Sequence, residues 1–336
     1  MTPELTADDL FPVVSGYRLS AAIRAMADLG VPDALADGAK TAEELAAAIE
    51  VDVILLRRLL RMLSSRGALL VDERSRFSNS GLSASLRSGG TRDMVLGWTA
   101  APSIFDAWSH ISDGIRSATS PFERAHGVPF HDYLAAHPEE KAAYFAANGS
   151  TVEGFEDVAD VLDLSDAKIV VSVGGGLGAE LIPLLRKWAH LYGVLTDLPD
   201  ALEGAEQLLA DSGLVDRVTI VGGDARAQVP QGDTYILQTL LRCLTDDDVV
   251  AVLSACRVAG LPSVRVHVVE MPAHEDAQHP SATNDMTAWT VYGGADRTLA
   301  EWTALHARAG LAISDVTQLD DVYALMTSAP MIPARR

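Results

Sequence analysis

The second half of the chain alternates short apolar runs with amphipathic segments. The apolar runs are rich in β-branched residues, and the predicted strands are 168–173, 192–196, 217–221, 233–238 and 264–270. Apolar residues at helical spacing predict helices at 179–188, 200–210, 246–258 and 299–309. Such alternation is typical of an α/β fold with a doubly wound, mostly parallel sheet. Two last apolar segments, 311–316 and 322–327, predict a closing antiparallel hairpin.

The first 90 residues have a different pattern, which is mainly helical. Apolar residues recur at helical spacing over 11–29, and Thr-Ala-Glu-Glu at 41–44 is a capping box that opens a short helix. Residues 53–63 form a strongly apolar helical segment, and 68–77 contain two short β segments around a polar turn. Three helices followed by a small hairpin predict a winged-helix module.

A winged-helix module can bind DNA, and the segment 53–63 carries three arginines. Acidic residues nevertheless outnumber basic ones over the first 100 residues, so no basic face is evident. This balance favours a structural or dimerisation module over a DNA-binding one.

The composition divides the chain into three predicted parts. Residues 1–90 form the winged-helix module, 91–165 form a helical linker and lid with scattered aromatic residues, and 166–336 form the Rossmann-like domain. An aromatic residue at helical spacing usually belongs to a core. Trp108 fits equally well in the roof of an apolar pocket, and His131 is a further candidate for this pocket.

Bulk composition narrows the partners that the protein can have. The chain has 336 residues and a formal net charge of −20, so nucleic acids and anionic membranes are disfavoured. Its two cysteines, Cys243 and Cys256, have neither metal-binding spacing nor the number needed for a disulfide framework. The acidic N-terminus does not resemble a signal peptide, and no apolar run has membrane-spanning length. We expect a cytoplasmic protein without a metal site.

A glycine-rich turn follows the first predicted strand, at Gly174-Gly-Gly-Leu-Gly178. Gly174 and Gly176 place no side chain between the backbone and a ligand, and the following helix begins with free N–H groups. Such a turn suits a nucleotide-like cofactor at the carboxyl end of a parallel sheet. The spacing Gly174-x-Gly176-x-x-Ala179 also fits a dinucleotide fingerprint, and a turn without any ligand remains a third interpretation.

Acidic residues end the next two predicted strands. Asp197 lies 23 positions after Gly174, close to the spacing at which an acid reaches ribose hydroxyls. Asp224 follows the third strand, where a carboxylate can accept a hydrogen bond from an adenine amino group. Both positions favour an adenosine-containing ligand.

Many short segments, in the right order, resemble the S-adenosylmethionine-dependent small-molecule O-methyltransferases of bacterial polyketide and phenazine pathways and of plant phenolic metabolism. These segments are 27–35, 56–63, 105–108, 122–127, 130–134, 174–178, 197–199, 223–224, Glu270 and 293–298. The resemblance covers nearly the whole chain and disfavours a nicotinamide cofactor. It implies a homodimer formed by the winged-helix domain and a class I methyltransferase domain. It also implies methyl transfer to a hydroxyl, or a nitrogen, of an aromatic or polyketide-like metabolite, with S-adenosylhomocysteine as product.

The resemblance also implies a role for individual residues. The cofactor-binding residues are Gly174 and Gly176 at the methionine part, Asp197 at the ribose, Leu198, Asp224 and Ala225 at the adenine, and Gln238 near the sulfonium. The acceptor-binding residues that it implies are Met286 and Trp289, just after Asp285. Trp108 and His131 are the further candidates for this pocket that the sequence pattern itself offers.

Two positions depart from the family pattern. Ser172 stands where the family usually has an acid that orders the glycine turn and the cofactor's ammonium. Arg242 stands where many members have a histidine that acts as general base. An arginine stays protonated and cannot be a base, although it can stabilise an anionic substrate. An ion pair between Arg242 and Asp246 or Asp247 is the structural alternative.

Two reactions remain open without that histidine. Methyl transfer from a sulfonium can proceed largely through proximity and in-line orientation, without a base. Alternatively, the bound cofactor serves a reaction without methyl transfer, such as hydroxylation, decarboxylation or pericyclic cyclisation.

The nine histidines offer no obvious replacement for the base. His267 lies within a predicted strand and is expected in the core. His190 and His306 are expected at the surface. His126 and His131 precede the sheet domain, so they are the histidines that we expect to face a pocket.

Overall fold

The computed structural model describes residues 5–148, 156–276, 279 and 281–331. The described chain forms two compact units. The first contains the residues up to Asp106 together with Ala136–Asn148, and the second contains Ala107–Ala135 together with the described residues from 156 onward.

The helices are numbered in chain order. They are α1 (Leu10–Val14), α2 (Tyr17–Asp28), α3 (Val31–Ala34), α4 (Ala42–Ala48), α5 (Val53–Ser65), α6 (Gly81–Ser85), α7 (Gly90–Met94), α8 (Pro102–Ala107), α9 (Ile111–Ser117), α10 (Pro121–His126), α11 (Phe130–Ala136), α12 (Pro138–Asn148), α13 (Glu156–Val161), α14 (Leu181–Lys187), α15 (Ala205–Asp211), α16 (Asp246–Ala259), α17 (Ala282–Tyr292) and α18 (Leu299–Arg308). Short 3₁₀ turns lie at Ala7–Asp9, Trp108–His110, Pro199–Leu202, Val215–Arg217 and Leu241–Cys243, and a π-helical turn lies at Val95–Thr99.

The strands form two sheets. They are β1 (Leu69–Val71), β2 (Phe77–Asn79), β3 (Ile169–Val173), β4 (Tyr192–Asp197), β5 (Val218–Gly222), β6 (Gly232–Gln238), β7 (Gly260–Glu270), β8 (Leu311–Gln318) and β9 (Ala324–Pro330). None of the described helices combines the length and the apolar character needed to cross a bilayer.

The first unit contains the predicted helices and hairpin. The capping box forms at the start of α4, where Thr41 and Glu44 bond to each other's backbone N–H groups. Asp52 caps α5 by accepting a hydrogen bond from Leu55 N. The apolar faces of α2, α4 and α5 pack with β1 and β2 into one core, so the winged-helix prediction is confirmed.

The second unit is built on a seven-stranded sheet with the order β5-β4-β3-β6-β7-β9-β8. The first five strands are parallel, and β9 and β8 add antiparallel pairs. The doubly wound, mostly parallel sheet and its closing hairpin are therefore confirmed. The helix predicted from residue 200 starts only at Ala205, because a 3₁₀ turn at Pro199–Leu202 precedes it.

Helices cover both faces of this sheet, which makes three layers. On one face α16 and α18 contribute Val252, Leu253 and the fully buried Trp302. On the other face α13, α14 and α15 pack their apolar side chains against β3 and β4. Because both faces of the sheet are covered by helices, the place available to a ligand is the edge formed by the carboxyl ends of the strands.

The strand order reverses between β3 and β6. The chain runs outward from β3 to β4 and β5, and then returns to place β6 on the other side of β3. In open α/β sheets the crevice at such a switch point is the usual ligand site. The glycine-rich turn follows β3 directly, so it lies at this crevice.

Candidate active site

The glycine turn has a backbone that requires glycine. Gly174 has φ +69° and Gly176 has φ +52°, in the left-handed region that other residues avoid. A Cβ on Gly174 would lie 2.6 Å from the side chain of Leu240, which follows β6. A Cβ on Gly176 would meet no described atom within 4 Å, so the space above Gly176 is open.

Asp197 lies directly beside this turn, as the spacing predicted. Its Oδ2 accepts a hydrogen bond from Gly176 N at 2.8 Å, and its Oδ1 accepts one from Leu198 N at 2.7 Å. Burial raises the pKa of this carboxyl, while both backbone N–H groups lower it. Leu198 itself is 42% exposed, so its apolar side chain is free to flank a ligand.

Asp224 and Ala225 follow the neighbouring strand β5. Gly223 N donates a hydrogen bond to the carbonyl of Asp197, so the two strand ends are adjacent. Asp224 pairs with Arg226 at 2.8 Å, and this contact lowers the pKa of the Asp224 carboxyl. Ala225 packs against the core beneath the sheet edge. Asp224 therefore follows the strand end, as predicted, and its carboxylate oxygens are hydrogen-bonded by Arg226.

The end of β6 contains a strained residue that sequence reasoning missed. Thr239 is β-branched and has φ +51°, a conformation that such residues rarely adopt. Its N–H donates to the carbonyl of Val269 at 2.9 Å, which holds it against β7. The neighbouring Gln238 has a buried Oε1 with no hydrogen-bond partner among the described residues. Strain and unpaired polar atoms of this kind concentrate at functional sites.

A second feature that the sequence did not reveal is a buried acid beneath the glycine turn. The Ser172 hydroxyl donates a hydrogen bond to Glu180 Oε1, and both side chains are buried. Burial raises the pKa of Glu180 to about 7, and the bond from Ser172 opposes this rise. The partial signal in the sequence was a glutamate amid an otherwise apolar run.

Arg242 forms a buried ion pair, but not with the acids that its sequence neighbours suggested. Its Nε and Nη2 donate to both carboxylate oxygens of Asp296, at 2.7 and 2.9 Å, and Nη2 also donates to the carbonyl of Asn284. The structural alternative, an ion pair with an acid, is therefore confirmed, but Asp246 and Asp247 were the wrong partners. Asp246 bonds Arg297 and Asp247 bonds Arg308 instead, because α16 directs these two side chains outward.

The segment that carries Arg242 is fixed from several sides. Glu270 Oε1 accepts hydrogen bonds from Leu241 N at 2.8 Å and from Arg242 N at 3.1 Å. Arg297 donates to the carbonyls of Leu241 and Leu244. Burial raises the pKa of Glu270 to about 8, and Glu270 Oε2 has no described partner. Burial lowers the pKa of Arg242, but the hydrogen bond and the charge of Asp296 raise it by more. The pKa of Arg242 therefore lies above its ordinary value, and Arg242 stays a cation.

Three of the predicted acceptor residues lie on α17. Asp285 Oδ1 accepts a hydrogen bond from Asp296 N at 2.9 Å, so Asp285 supports the partner of Arg242. Met286 and Trp289 are partly buried and lie three positions apart, on one face of the helix. The helix thus brings a polar support and two apolar side chains near the Arg242 segment.

The other two predicted acceptor residues precede the sheet in the chain. His131 stacks on Tyr292 at the end of α17, with ring centroids 5.8 Å apart and an interplanar angle of 18°. His131 keeps solvent-exposed surface. The protein atoms around its ring nevertheless displace water from it, and this desolvation lowers the pKa of His131 below the ordinary histidine value. Trp108 begins a 3₁₀ turn and is 36% exposed. His131 therefore contacts α17, whereas no described ring contact joins Trp108 to this helix.

Of His267, His190 and His306, the first two lie where the sequence predicted and the third does not. His267 is buried in β7, where its Nδ1 lies 3.0 Å from the Thr327 hydroxyl. His190 is exposed. The prediction that His306 is a surface residue was wrong, because its ring is fully buried beside Trp302 on α18.

Models of known protein families match most of the chain. Residues 108–312 match the O-methyltransferase domain, and residues 11–88 match the O-methyltransferase dimerisation domain. The phenazine O-methyltransferase PhzM of Lysobacter antibioticus is 31% identical over 327 residues, which cover 96% of this chain and 96% of the relative.

Solved structures show the same architecture over almost the whole length. The mitomycin 7-O-methyltransferase MmcR superposes with a TM-score of 0.92 at 28% identity, covering 96% of this chain and 97% of that one. An O-methyltransferase of neocarzinostatin biosynthesis, solved in complex with S-adenosylmethionine and 2-hydroxy-5-methyl naphthoic acid, gives a TM-score of 0.84 at 27% identity, covering 93% and 96%. The chain therefore belongs to the O-methyltransferase family.

Proposed function

We propose that the protein transfers a methyl group from S-adenosylmethionine to a hydroxyl of an aromatic or polyketide-like metabolite and releases S-adenosylhomocysteine. The observation that carries the proposal is the cradle at the switch point of the sheet. There the turn from Gly174 to Gly178 and the carboxylate of Asp197 are hydrogen-bonded into one surface.

The residues of the cradle fit this cofactor. The open space above Gly176 admits a ligand against the backbone, and Asp197 keeps lone pairs for ribose hydroxyls beside its two N–H bonds. The buried Oε1 of Gln238 needs a donor, which a ligand at the end of β6 can supply. When bound, the sulfonium supplies an activated methyl group.

Arg242 is the residue best placed to act on the acceptor's charge. Two of its nitrogens are engaged by Asp296, while Nη1 has no partner among the described residues. A fixed cation with a free donor stabilises a phenolate, and this lowers the pKa of the acceptor hydroxyl. The acceptor can thus reach its nucleophilic form without a histidine base, and orientation provides the remaining acceleration.

The acceptor pocket that we propose has aromatic and thioether walls. Met286 and Trp289 on α17, with His131 stacked at its end, offer flat and polarizable surfaces for a planar ring. Trp108 would complete these walls, and Asp285 acts indirectly by holding Asp296.

Incubation with methyl-labelled S-adenosylmethionine and a panel of aromatic hydroxyl compounds tests this proposal. We expect label in one class of product and an equal amount of S-adenosylhomocysteine. Tight cofactor binding without any methylated product would contradict it. Label on nitrogen would keep the reaction class and change the acceptor.

A second candidate keeps the cofactor and replaces the reaction. The fixed Arg242–Asp296 pair, in place of a base, favours a reaction that uses the bound cofactor for hydroxylation, decarboxylation or pericyclic cyclisation. Substrate turnover without formation of S-adenosylhomocysteine would identify this case.

We also propose that two chains pair through the N-terminal unit. Several large apolar side chains near its N-terminus are exposed, among them Leu10, Phe11, Val14 and Tyr17, with Phe11 80% exposed. A contiguous set of exposed apolar residues is typical of an interface. The match of residues 11–88 to a dimerisation domain supports a second copy as the partner.

A further inference from the structure

We propose that Glu180 supplies the carboxylate that binds the ammonium group of the cofactor's methionine part. This inference rests on the proposed function and adds a binding residue to it. Glu180 lies six positions beyond Gly174, in the segment that leads into α14 rather than on the strand.

The position of Glu180 is set by contacts under the glycine turn. Its Oε1 accepts the hydrogen bond of the Ser172 hydroxyl at the end of β3. A Cβ built on Gly175 would collide with the Ser172 hydroxyl and would lie 2.9 Å from Glu180 Oε1. The acid and the serine therefore lie immediately against the backbone of the turn, on the side that Gly175 leaves free.

The second carboxylate oxygen has no protein partner. No described residue donates a hydrogen bond to Glu180 Oε2, although the residue is only 7% exposed. Among the described groups that act on Glu180, none is a cation: β3 contributes neutral Ser172 and β4 contributes the anion Asp197. A buried carboxylate without a cation is costly, and an ammonium ligand with three donors would satisfy it.

This arrangement explains why a serine is tolerated at position 172. The hydroxyl is small and donates, so it orients a carboxylate that arrives from eight residues further along the chain. An acid at 172 would face Glu180 at hydrogen-bond distance and would force one of the two to be protonated. The chain has thus exchanged the position of the acid while keeping one negative charge beneath the turn.

The ionisation of Glu180 makes the inference measurable. Burial and the neighbouring charge of Asp197 raise the pKa of Glu180 to about 7, and the bond from Ser172 lowers it. Only the carboxylate form attracts an ammonium, so affinity should fall as the pH drops through this region. Removing the Ser172 hydroxyl should move this loss of affinity to higher pH.

The experiment is calorimetric titration of S-adenosylhomocysteine, which carries the same ammonium group, into the full chain between pH 6 and 9. Three proteins are compared: the wild type, Glu180→Gln and Ser172→Ala. At pH 8.5 we expect Glu180→Gln to bind about tenfold more weakly, the loss of one charge-assisted hydrogen bond. The affinity of Glu180→Gln should also depend less on pH than that of the wild type. Titration of the ligand's own groups affects all three proteins equally, so it cancels when each variant's affinity is compared with that of the wild type at the same pH.

Thermal unfolding of the free proteins separates binding from folding. If Glu180 only braces the turn, Glu180→Gln loses stability and Ser172→Ala leaves the pH midpoint of binding unchanged. If Glu180 binds the ammonium, Glu180→Gln keeps or raises its Tm, because it removes a buried acid whose pKa is raised, and Ser172→Ala shifts the midpoint upward. The double variant Ser172→Asp, Glu180→Gln returns the acid to the strand and should recover most of the affinity.

The outcomes distinguish this inference from the function on which it rests. Equal affinities of wild type and Glu180→Gln at every pH would overturn the role of Glu180 and leave the methyltransferase proposal intact. Absence of binding by the wild type would instead contradict the proposed function. Should Glu180→Gln fail to fold, the shift of the midpoint in Ser172→Ala still decides the question.

Discussion

Arg242 illustrates how a side chain's surroundings decide its chemistry. Its Nε and Nη2 are held by Asp296, and the two side chains are 11% and 1% exposed. A cation held in this way cannot accept a proton from the acceptor, but it can stabilise the negative charge that forms there. In the function that we propose, the residue at this position therefore provides charge stabilisation where many family members have a base.

The Arg242–Asp296 pair predicts non-additive stability effects. Arg242→Ala should cost about 3–5 kcal/mol in the free energy of unfolding, because it leaves the Asp296 carboxylate buried without a cation. Adding Asp296→Ala should cost little more, since the unpaired charge is then gone. Urea unfolding of both single variants and the double variant measures the coupling. Additive costs would show that the two side chains do not act as a pair.

Glu270 predicts a pH dependence of stability. Its pKa is raised from 4.5 to about 8, so the folded protein binds more protons than the unfolded chain between these values. Stability from this group is therefore complete below about pH 4.5 and is lost as the pH rises through about 8. In Glu270→Gln this decline should disappear, and above pH 8 the variant should have a Tm a few degrees higher than that of the wild type. Parallel Tm profiles for the two proteins between pH 5 and 9 would contradict this.

At the scale of elements, the parts of the site that follow from local spacing were predictable. The glycine turn follows β3, and Asp197 is the last residue of the adjacent parallel strand β4. The hydrogen bond from Gly176 N to Asp197 therefore joins two neighbouring strand ends. The Arg242–Asp296 contact was not predictable, because it depends on how the segment after α17 folds back against the turn that follows β6. The Ser172–Glu180 pair was missed for a related reason, since its direction depends on the turn between them.

The glycine turn predicts different effects for two neighbouring substitutions. Gly174→Ala introduces a methyl group at a left-handed φ and 2.6 Å from Leu240, so it should lower both stability and cofactor affinity. Gly176→Ala has room in the free protein and should cost only about 1 kcal/mol in stability, from its backbone conformation. Its main effect should be on the ligand. Tm and calorimetric Kd measured on both variants separate these effects, and unchanged affinity in Gly176→Ala would show that no ligand lies there.

At the scale of the whole molecule, the fold class followed from the alternation of strands and helices, and the winged helix followed from a capping box, an apolar helix and a hairpin. The acidic composition, with a net charge of −20, fits a protein that binds a cationic cofactor better than one that binds nucleic acid. The face that we propose for pairing with a second copy was identified from exposed apolar side chains, which periodicity alone did not reveal.

The exposed apolar residues near the N-terminus predict concentration-dependent assembly. Phe11→Asp places a charge on the exposed face of α1 and should shift the protein from dimer to monomer. Light scattering after size-exclusion chromatography measures this. The matched control is Val258→Asp, at an apolar position on α16 that is 73% exposed. If Phe11→Asp stays dimeric, or if the control dissociates as well, the interface lies elsewhere.

The central claim is that Asp197 and the glycine turn hold an adenosyl ligand, and calorimetry with S-adenosylhomocysteine on wild type and Asp197→Ala tests it most directly. We predict saturable one-to-one binding by the wild type and at least a tenfold weaker Kd for the variant, because two ribose hydroxyls lose a charged acceptor. No heat of binding from a folded wild type, or equal affinity in both proteins, would contradict the account.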